Sequence, residues 1–405
     1  MMKVTVIGQG YVGATLAVGA AEAGFEVIGF DIDKNIVSNL RNGLSITPDV
    51  SKQNINELLK SGKYYPTYNP QEINNSKIIV IAVPTPLNSN REPDLKYLEQ
   101  ASILIAENVT KPALVINEST SYPGTLRNFI KPAIESRSDV NFEYASAPER
   151  IDPGNKNWKL SNTPRNVGGL TQGALEKATK FYKAFCQEVT QVKSPEVAEA
   201  AKLFENTFRQ INIALANEFS IISSALGYSA NEAIQAASSK PFGFMPFFPS
   251  IGVGGHCIPV DPTYLNHAAL KAGVRADFIE LANKTNLSMA KFIVEKIRNY
   301  LKGSISGIKI QIAGIAYKPN VADLRESPAL DLIRELRSVG AEVSWHDPLV
   351  VEYNHEKSEP LNSSIDLGLI ITPHSEINFS VWKDAGTNVL DLSPNSINFG
   401  WSKFL

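Results

Sequence analysis

Lys3-Val4-Thr5-Val6-Ile7-Gly8-Gln9-Gly10-Tyr11-Val12-Gly13 decides the fold of this chain. Lys3 to Ile7 reads as a buried strand, Gly8 to Gly13 as a G-x-G-x-x-G turn, and the alanine-rich stretch to Ala23 as a helix. Gly24 and a second strand, Glu26 to Phe30, follow, and that strand ends at Asp31. A glycine pattern alone is weak evidence; set between strand and helix, with an acid closing the next strand, it specifies a dinucleotide fold. Gly8 makes the tight turn, Gly10 lets a pyrophosphate approach the backbone, and Gly13 lets helix and strand pack. The helix start at Tyr11 and Val12 offers N–H groups and a positive dipole end to the phosphates. Asp31 would accept hydrogen bonds from the adenosine ribose hydroxyls and repel a 2′-phosphate, so the expected cofactor is NAD. Lys34, grouped with the cofactor-binding residues, is the nearby cation that argues for NADP. The alternative is a glycine turn with a capping acid and no ligand.

Three further apolar strands, Lys77 to Val83, Ala113 to Asn117 and Asn141 to Ala147, run into Pro84-Thr85-Pro86, Glu118-Ser119-Thr120 and Pro148-Glu149-Arg150. Open parallel sheets bind ligands beyond the carboxyl ends of their strands, so Thr85, Thr120 and Glu149 could converge on one crevice. Taken singly, each reads better as a loop residue or helix cap. Pro195 to Leu226 contains no internal glycine or proline, and its apolar residues recur at helical spacing. That length suits a spine joining two domains and a dimer surface. Lys202 and Asn206 share one face of it, where a solvated face is the plainer explanation.

Helix continues to about Tyr300, interrupted by the loop from Pro241 to Pro262. Within the loop, Gly252-Val253-Gly254-Gly255-His256-Cys257-Ile258-Pro259-Val260-Asp261 surrounds one of two cysteines. Glycines permit close approach to a bound molecule and prolines stiffen the chain beyond the thiol. Against this, a free cysteine usually packs as a small hydrophobe. The last hundred residues return to strand and helix: strands Lys309 to Ala316, Glu342 to His346 and Asp366 to Thr372, with a helix from Pro328 to Val339. The expected class is α/β, with two Rossmann-like parallel-sheet domains joined by a long central helix. The expected domains are residues 1–194, 195–300 and 301–405.

At 405 residues the chain exceeds one ordinary core, and 43% hydrophobic with 20% charged residues describes a globular protein. A net charge of -2 argues against broad binding to nucleic acid or membrane surfaces. Cys186 and Cys257 make no disulfide framework, and five scattered histidines suggest no metal site. Met1-Met2-Lys3 leads straight into a strand and no apolar run reaches membrane-spanning length, so a cytoplasmic protein is expected.

The ordered set resembles the nucleotide-sugar 6-dehydrogenases, the UDP-glucose/GDP-mannose dehydrogenase family. It comprises the Gly8–Gly13 fingerprint, Val83-Pro84-Thr85-Pro86, Glu118-Ser119-Thr120, Ala147-Pro148-Glu149-Arg150, Glu199 to Asn206, Gly254 to Asp261, and Ala322 to Pro328, and it covers essentially the whole chain. The resemblance implies a four-electron oxidation of a sugar CH2OH to a carboxylate with two NAD in succession. It makes Cys257 the nucleophile that captures the aldehyde and then carries a thioester. Lys202 and Asn206 would stabilise the oxyanion. Asp261 and Thr120 would position water and accept the first proton, and Glu149 would act as a general base in hydrolysis. It further implies cofactor contacts from Thr85, Thr120 and Arg325. Substrate contacts would come from Glu149, Arg150, Lys202, Asn206 and Lys318, and from a closing loop at Phe248, Pro249, Ser250 and Gly254. A homodimer through the central helix, a UDP-sugar substrate, no metal and a use in surface polysaccharide are implied as well.

The sequence departs from the UDP-glucose branch of that family. Val260 stands where those enzymes usually carry lysine, and Pro153 where they carry a second glutamate. Pro148 to Asn155, Ser121-Tyr122-Pro123-Gly124 and His256 look instead like the N-acetylhexosamine branch. The expected substrate is UDP-N-acetylglucosamine, with UDP-N-acetylmannosamine, UDP-N-acetylgalactosamine and UDP-glucose as alternatives. Two other classes compete: a two-electron hydroxy-acid dehydrogenase, for which the cysteine loop is superfluous, and a non-catalytic NAD-binding module, which has no use for Cys257, Lys202, Asn206 and Asp261 together.

Overall fold

The computed structural model describes residues 2–405 apart from Ile46, Pro48, Pro153, Gly154, Lys156 and residues 395–399. Pro153 and Gly154, part of the expected sugar-branch signature, thus lie outside the described residues. The chain forms two compact units, Met1–Glu205 with Thr263–Val274, and Asn206–Pro262 with Arg275–Leu405.

In the first unit the elements are β1 (Lys3–Ile7), α1 (Tyr11–Glu22), β2 (Glu26–Phe30), α2 (Lys34–Arg41), α3 (Lys52–Lys60), β3 (Tyr64–Thr67) and β4 (Ile78–Ile81). After these come α4 (Lys96–Asn108), β5 (Leu114–Asn117), α5 (Lys131–Glu135), β6 (Glu143–Ser146), β7 (Arg165–Gly169), α6 (Gln172–Lys183) and β8 (Val189–Gln191). They build one sheet in the order β3-β2-β1-β4-β5-β6-β7-β8. Its first six strands are parallel in the order of dinucleotide-binding sheets. The strands are apolar throughout because both faces are covered. Ile78 and Val80 join the core that holds Leu16 and Ala17 of α1 and Phe181 of α6, while Ile79 and Ile81 join the core of α4.

β7 runs antiparallel to β6, and β8 parallel to β7. Neither strand was expected from the sequence. Arg165-Asn166-Val167-Gly168-Gly169 has one large apolar residue and two glycines, which conceal it from hydrophobic patterning.

α7 (Pro195–Leu226) is one 32-residue helix, about 48 Å long at the standard rise, and the boundary between the units falls within it after Glu205. α8 (Ala230–Ala237), α9 (Asp261–Lys271) and α10 (Asp277–Leu301) follow.

The rest of the second unit comprises β9 (Lys309–Ala313), α11 (Pro328–Ser338), β10 (Glu342–His346), a hairpin of β11 (Glu352–Tyr353) and β12 (Glu356–Lys357), β13 (Leu367–Ile370), α12 (Ser380–Asp384) and β14 (Val389–Asp391). Its sheet, β10-β9-β13-β14, is wholly parallel. Ile310 and Ile312 of β9 pack with Met289, Ile293 and Ile297 of α10 and Leu332 of α11, whereas Ala313 packs on the opposite face with Ile370 and Trp382. The second sheet is therefore Rossmann-like without the glycine fingerprint. Asp347, just past β10, accepts the N–H groups of Ile315 and Ala316 at 2.9 and 3.0 Å, much as an acid closes the first turn. It is also bound to His374, and both side chains are fully buried.

Candidate active site

The glycines of the first turn differ in what surrounds them. Gly8 has φ +91°, and a Cβ there would lie 2.4 Å from the Ala82 carbonyl oxygen. A Cβ on Gly13 would lie 1.8 Å from the Gly8 oxygen, so the turn and α1 pack as closely as glycine allows. Gly10 faces open space, and no side chain caps α1 there. That opening over a helix N-terminus fits a dinucleotide pyrophosphate.

Asp31 accepts the Gln9 N–H at 2.7 Å and the Asp33 N–H at 2.9 Å, which fixes its carboxylate at the end of β2. Gln9, an unreadable x in the motif, is buried and braces the turn. Its amide donates to the Val6 carbonyl at 2.9 Å and accepts the Tyr64 hydroxyl at 2.6 Å. Lys34 opens α2 with its ammonium 5.4 Å from the Tyr68 ring centre.

The chain beyond β4, β5 and β6 is stitched together. Ser119 Oγ accepts the Val83 N–H at 2.9 Å and donates to the Val83 carbonyl at 2.8 Å; the Glu149 N–H donates to the Glu118 carbonyl at 3.2 Å. The segments carrying Thr85, Thr120 and Glu149 are thereby neighbours. Thr85 and Glu149 are buried. The Ile151 N–H binds Glu149 Oε1, and Glu149 Oε2 is buried with no hydrogen-bond partner among the described residues. Arg150 reaches Glu205 of α7 at 2.8 Å and the Pro164 carbonyl at 2.7 Å.

Three acids fix the start of α7 to this unit. Besides Glu205, Glu196 pairs with Arg127 at 2.7 Å, and the buried Glu199 accepts the N–H groups of Gly124 and Leu126 at 2.7 and 3.2 Å. Burial pushes the Glu199 carboxyl up to about 8, against the pull of those two donors. Lys202, one turn further on, is buried as well. Tyr122, singled out as a branch marker, packs 5.7 Å from the His267 ring and 6.3 Å from that of Tyr264, both on α9.

In the second unit Cys257 is exposed, whereas Cys186 of the first is buried and its thiol is pushed up to about 11, mainly by burial. The packing explanation suits Cys186 and not Cys257. The Asp261 N–H donates to the Cys257 carbonyl at 2.8 Å, a single helical turn between thiol-bearing and acid-bearing residues. Asp261 is buried and accepts from Asn206 Nδ2 at 2.5 Å. Sequence spacing did not reveal that bond, which ties α7 to the start of α9.

The loop glycines serve the protein itself. A Cβ on Gly254 would lie 2.7 Å from Tyr317 Cβ and 2.9 Å from Pro328 Cδ, and one on Gly255 would lie 2.8 Å from the Tyr317 ring. The Gly255 N–H donates to the Arg325 carbonyl at 3.0 Å. Arg325 is gripped by Asp323 at 2.6 Å, and burial, helped by Arg325, lowers the proton affinity of His256. Phe248 and Pro249 lead to Ser250, whose N–H donates to Asn217 at 2.8 Å. Asn217 in turn binds Asn286 of α10 at 2.9 Å, and Gln210 binds Asn283. This polar ladder fixes the loop to two helices. Lys318 is half-buried in the turn after β9. Thr85, Thr120, Glu149 and Lys202 thus belong to the first unit, and Asn206, Cys257, Asp261, Lys318 and Arg325 to the second. No cluster of His, Cys, Asp and Glu able to hold a metal occurs among the described residues.

Three models of the UDP-glucose/GDP-mannose dehydrogenase family match the chain: its NAD binding domain over residues 2–186, its central domain over 196–288 and its UDP binding domain over 311–394. The chain is 35% identical to the UDP-N-acetyl-D-mannosamine dehydrogenase of Pyrococcus horikoshii, across 96% of this chain and 93% of that one. It is 36% identical to the UDP-N-acetyl-D-glucosamine 6-dehydrogenase of Pseudomonas aeruginosa, across 86% and 83%. The solved structure of the UDP-D-ManNAc dehydrogenase from Pyrococcus horikoshii superimposes with a TM-score of 0.87 at 33% identity, covering 98% of this chain and 96% of that one.

Proposed function

The chain belongs to the UDP-glucose/GDP-mannose dehydrogenase family and is an NAD-dependent dehydrogenase of the N-acetylhexosamine branch, and from that premise we propose that it oxidises C6 of UDP-N-acetylglucosamine to the carboxylate. The observation that carries the four-electron reading is an exposed Cys257 one turn before an Asp261 already bonded to Asn206. NAD, when bound, supplies the hydride acceptor for both oxidations.

The Cys257 thiolate adds to the C6 aldehyde, forming a C–S bond, and the captured carbon cannot leave between oxidations. Loss of hydride from that carbon leaves a thioester. Water then adds, the C–S bond breaks, and carboxylate and thiol separate. Lys202 and Asn206, one turn apart on α7, carry the positive charge and the N–H donor for the oxyanion. Asp261 holds the Asn206 amide in place and, with Thr120, takes the first proton. Glu149 Oε2, buried and without a hydrogen-bond partner among the described residues, is the oxygen that would accept a proton from the attacking water. Gly10, Asp31 and Thr85 would hold the dinucleotide, joined by Arg325. Lys318, Arg150 and the 248–254 loop would hold the nucleotide sugar.

Val260 and the Ser121–Gly124 run support the N-acetylhexosamine branch over UDP-glucose. UDP-N-acetylmannosamine is the second reading, because the relatives carry both names. Epimers differ by one hydroxyl, which a site discriminates through a few hydrogen bonds. We also propose a cytoplasmic homodimer through α7, where Phe204, Phe208, Leu215 and Ile222 are exposed. No helix among the described residues is long and apolar enough to cross a membrane.

The deciding assay is NADH formed per sugar consumed, over a panel of UDP-sugars. Two NADH per UDP-N-acetylglucosamine is the expected result. Two with UDP-N-acetylmannosamine alone would select the other epimer, and one per sugar would remove the thioester from the mechanism.

A further inference from the structure

Next to Glu149 lie a second buried acid, Glu118, and a buried cation, Arg165. Glu118 follows β5 and Arg165 opens β7, and both side chains are almost wholly enclosed. Arg165 Nη1 lies 3.2 Å from Glu118 Oε1 and donates to the Ala147 carbonyl at 3.3 Å; Nη2 lies 4.0 Å from Glu149 Oε1. From α6, the Tyr182 hydroxyl donates to Glu118 Oε1, and the Tyr182 ring centre is 5.0 Å from the guanidinium carbon. Cys186, just past α6, also faces Arg165. Two carboxylates therefore share one guanidinium in a place where an uncompensated charge is costly. Burial pushes Glu118 up to about 7, Arg165 opposes that rise, and Glu149 adds to it. Burial disfavours the charge on Arg165, but the two carboxylates more than offset it.

We propose that Arg165 and Glu118 are positioning residues for Glu149: Arg165 supplies the counter-charge that holds its carboxylate in place, and the charge on Glu118 sets how much of the guanidinium's field Glu149 receives. The inference rests on the reading of Glu149 as the base for thioester hydrolysis. With Glu118 protonated, the charge of Arg165 serves Glu149 alone. With Glu118 ionised, the guanidinium is shared and a second negative charge lies close to Glu149.

The test follows hydrolysis of the acyl-enzyme on Cys257, by quenching and intact-protein mass from pH 5 to 9. It uses the full chain with NAD and UDP-N-acetylglucosamine, or UDP-N-acetylmannosamine if the panel selects it. Arg165→Met should move the acid limb of the hydrolysis rate up by about one pH unit or more, and Arg165→Lys should bring it back towards wild type. Glu118→Gln should move the limb down and lower its plateau. In the Arg165 and Glu118 variants the first-turnover NADH burst should keep its wild-type rate, which a general loss of structure would not allow.

Limbs that shift in the same direction, or not at all, overturn the proposal. Should Arg165→Met fail to fold, the near-isosteric Glu118→Gln decides alone, and an unmoved limb overturns it. Glu149→Gln separates the two levels. Slow hydrolysis in that variant with wild-type limbs in the others sinks the positioning roles only. Wild-type hydrolysis in Glu149→Gln removes the base itself and the proposal with it.

Discussion

Cys257 and Cys186 carry the same thiol and differ in surroundings. One is exposed at a turn that delivers Asp261; the other is buried with its proton held more tightly than usual. Nucleophilic chemistry needs an accessible thiolate, so only the first is suited to it. Cys257→Ser is expected to lower turnover by about three orders of magnitude or more, with NAD affinity unchanged in a direct binding titration. Turnover within tenfold of wild type would refute covalent catalysis.

At the scale of elements, α7 is fixed by its acids, and Glu199 is the buried one. Its carboxyl is raised to about 8 in the folded protein, mainly by burial, against an ordinary value of 4.5. An acid raised in this way contributes stability below its unfolded value, and the contribution is lost as pH rises through the folded one. Glu199→Gln mimics the protonated form at every pH. Its melting temperature relative to wild type should therefore start near zero difference at pH 5 and become positive by pH 8.5. A difference that stays constant with pH would show that Glu199 is ionised throughout and held by the Gly124 and Leu126 N–H groups.

For the whole molecule, the exposed apolar face of α7 is where the proposed dimer contact would lie. Phe208 and Leu215 are 43% and 62% exposed, and a contiguous apolar face of that kind marks an interaction surface. If the proposed dimer forms through this face, Leu215→Asp should convert it to monomer in light scattering, because the substitution would bury an unpaired charge in the contact. A dimer that withstands both Leu215→Asp and Phe208→Asp would place the interface elsewhere. The chain also holds two Rossmann-like sheets, and they diverge at equivalent turns. Asp31 is held by backbone N–H groups beside an open Gly10, whereas Asp347 is shut in with His374. That difference suits the first turn, and not the second, to a dinucleotide.

The sequence by itself determined the strand, glycine turn, helix and closing acid of the first unit, the full extent of α7, and the family. Each is written in neighbouring residues, where backbone sterics, helical spacing and strand alternation act locally. Tertiary structure decided the rest. β7 is a strand only because β6 stands beside it, and Glu118, Arg165 and Glu149 meet only because β5, β6 and β7 are adjacent. Asn206 reaches Asp261 across 55 residues, and the loop glycines close on Tyr317 and Pro328 more than sixty positions away. Such contacts depend on strand order and loop path, which no local pattern encodes.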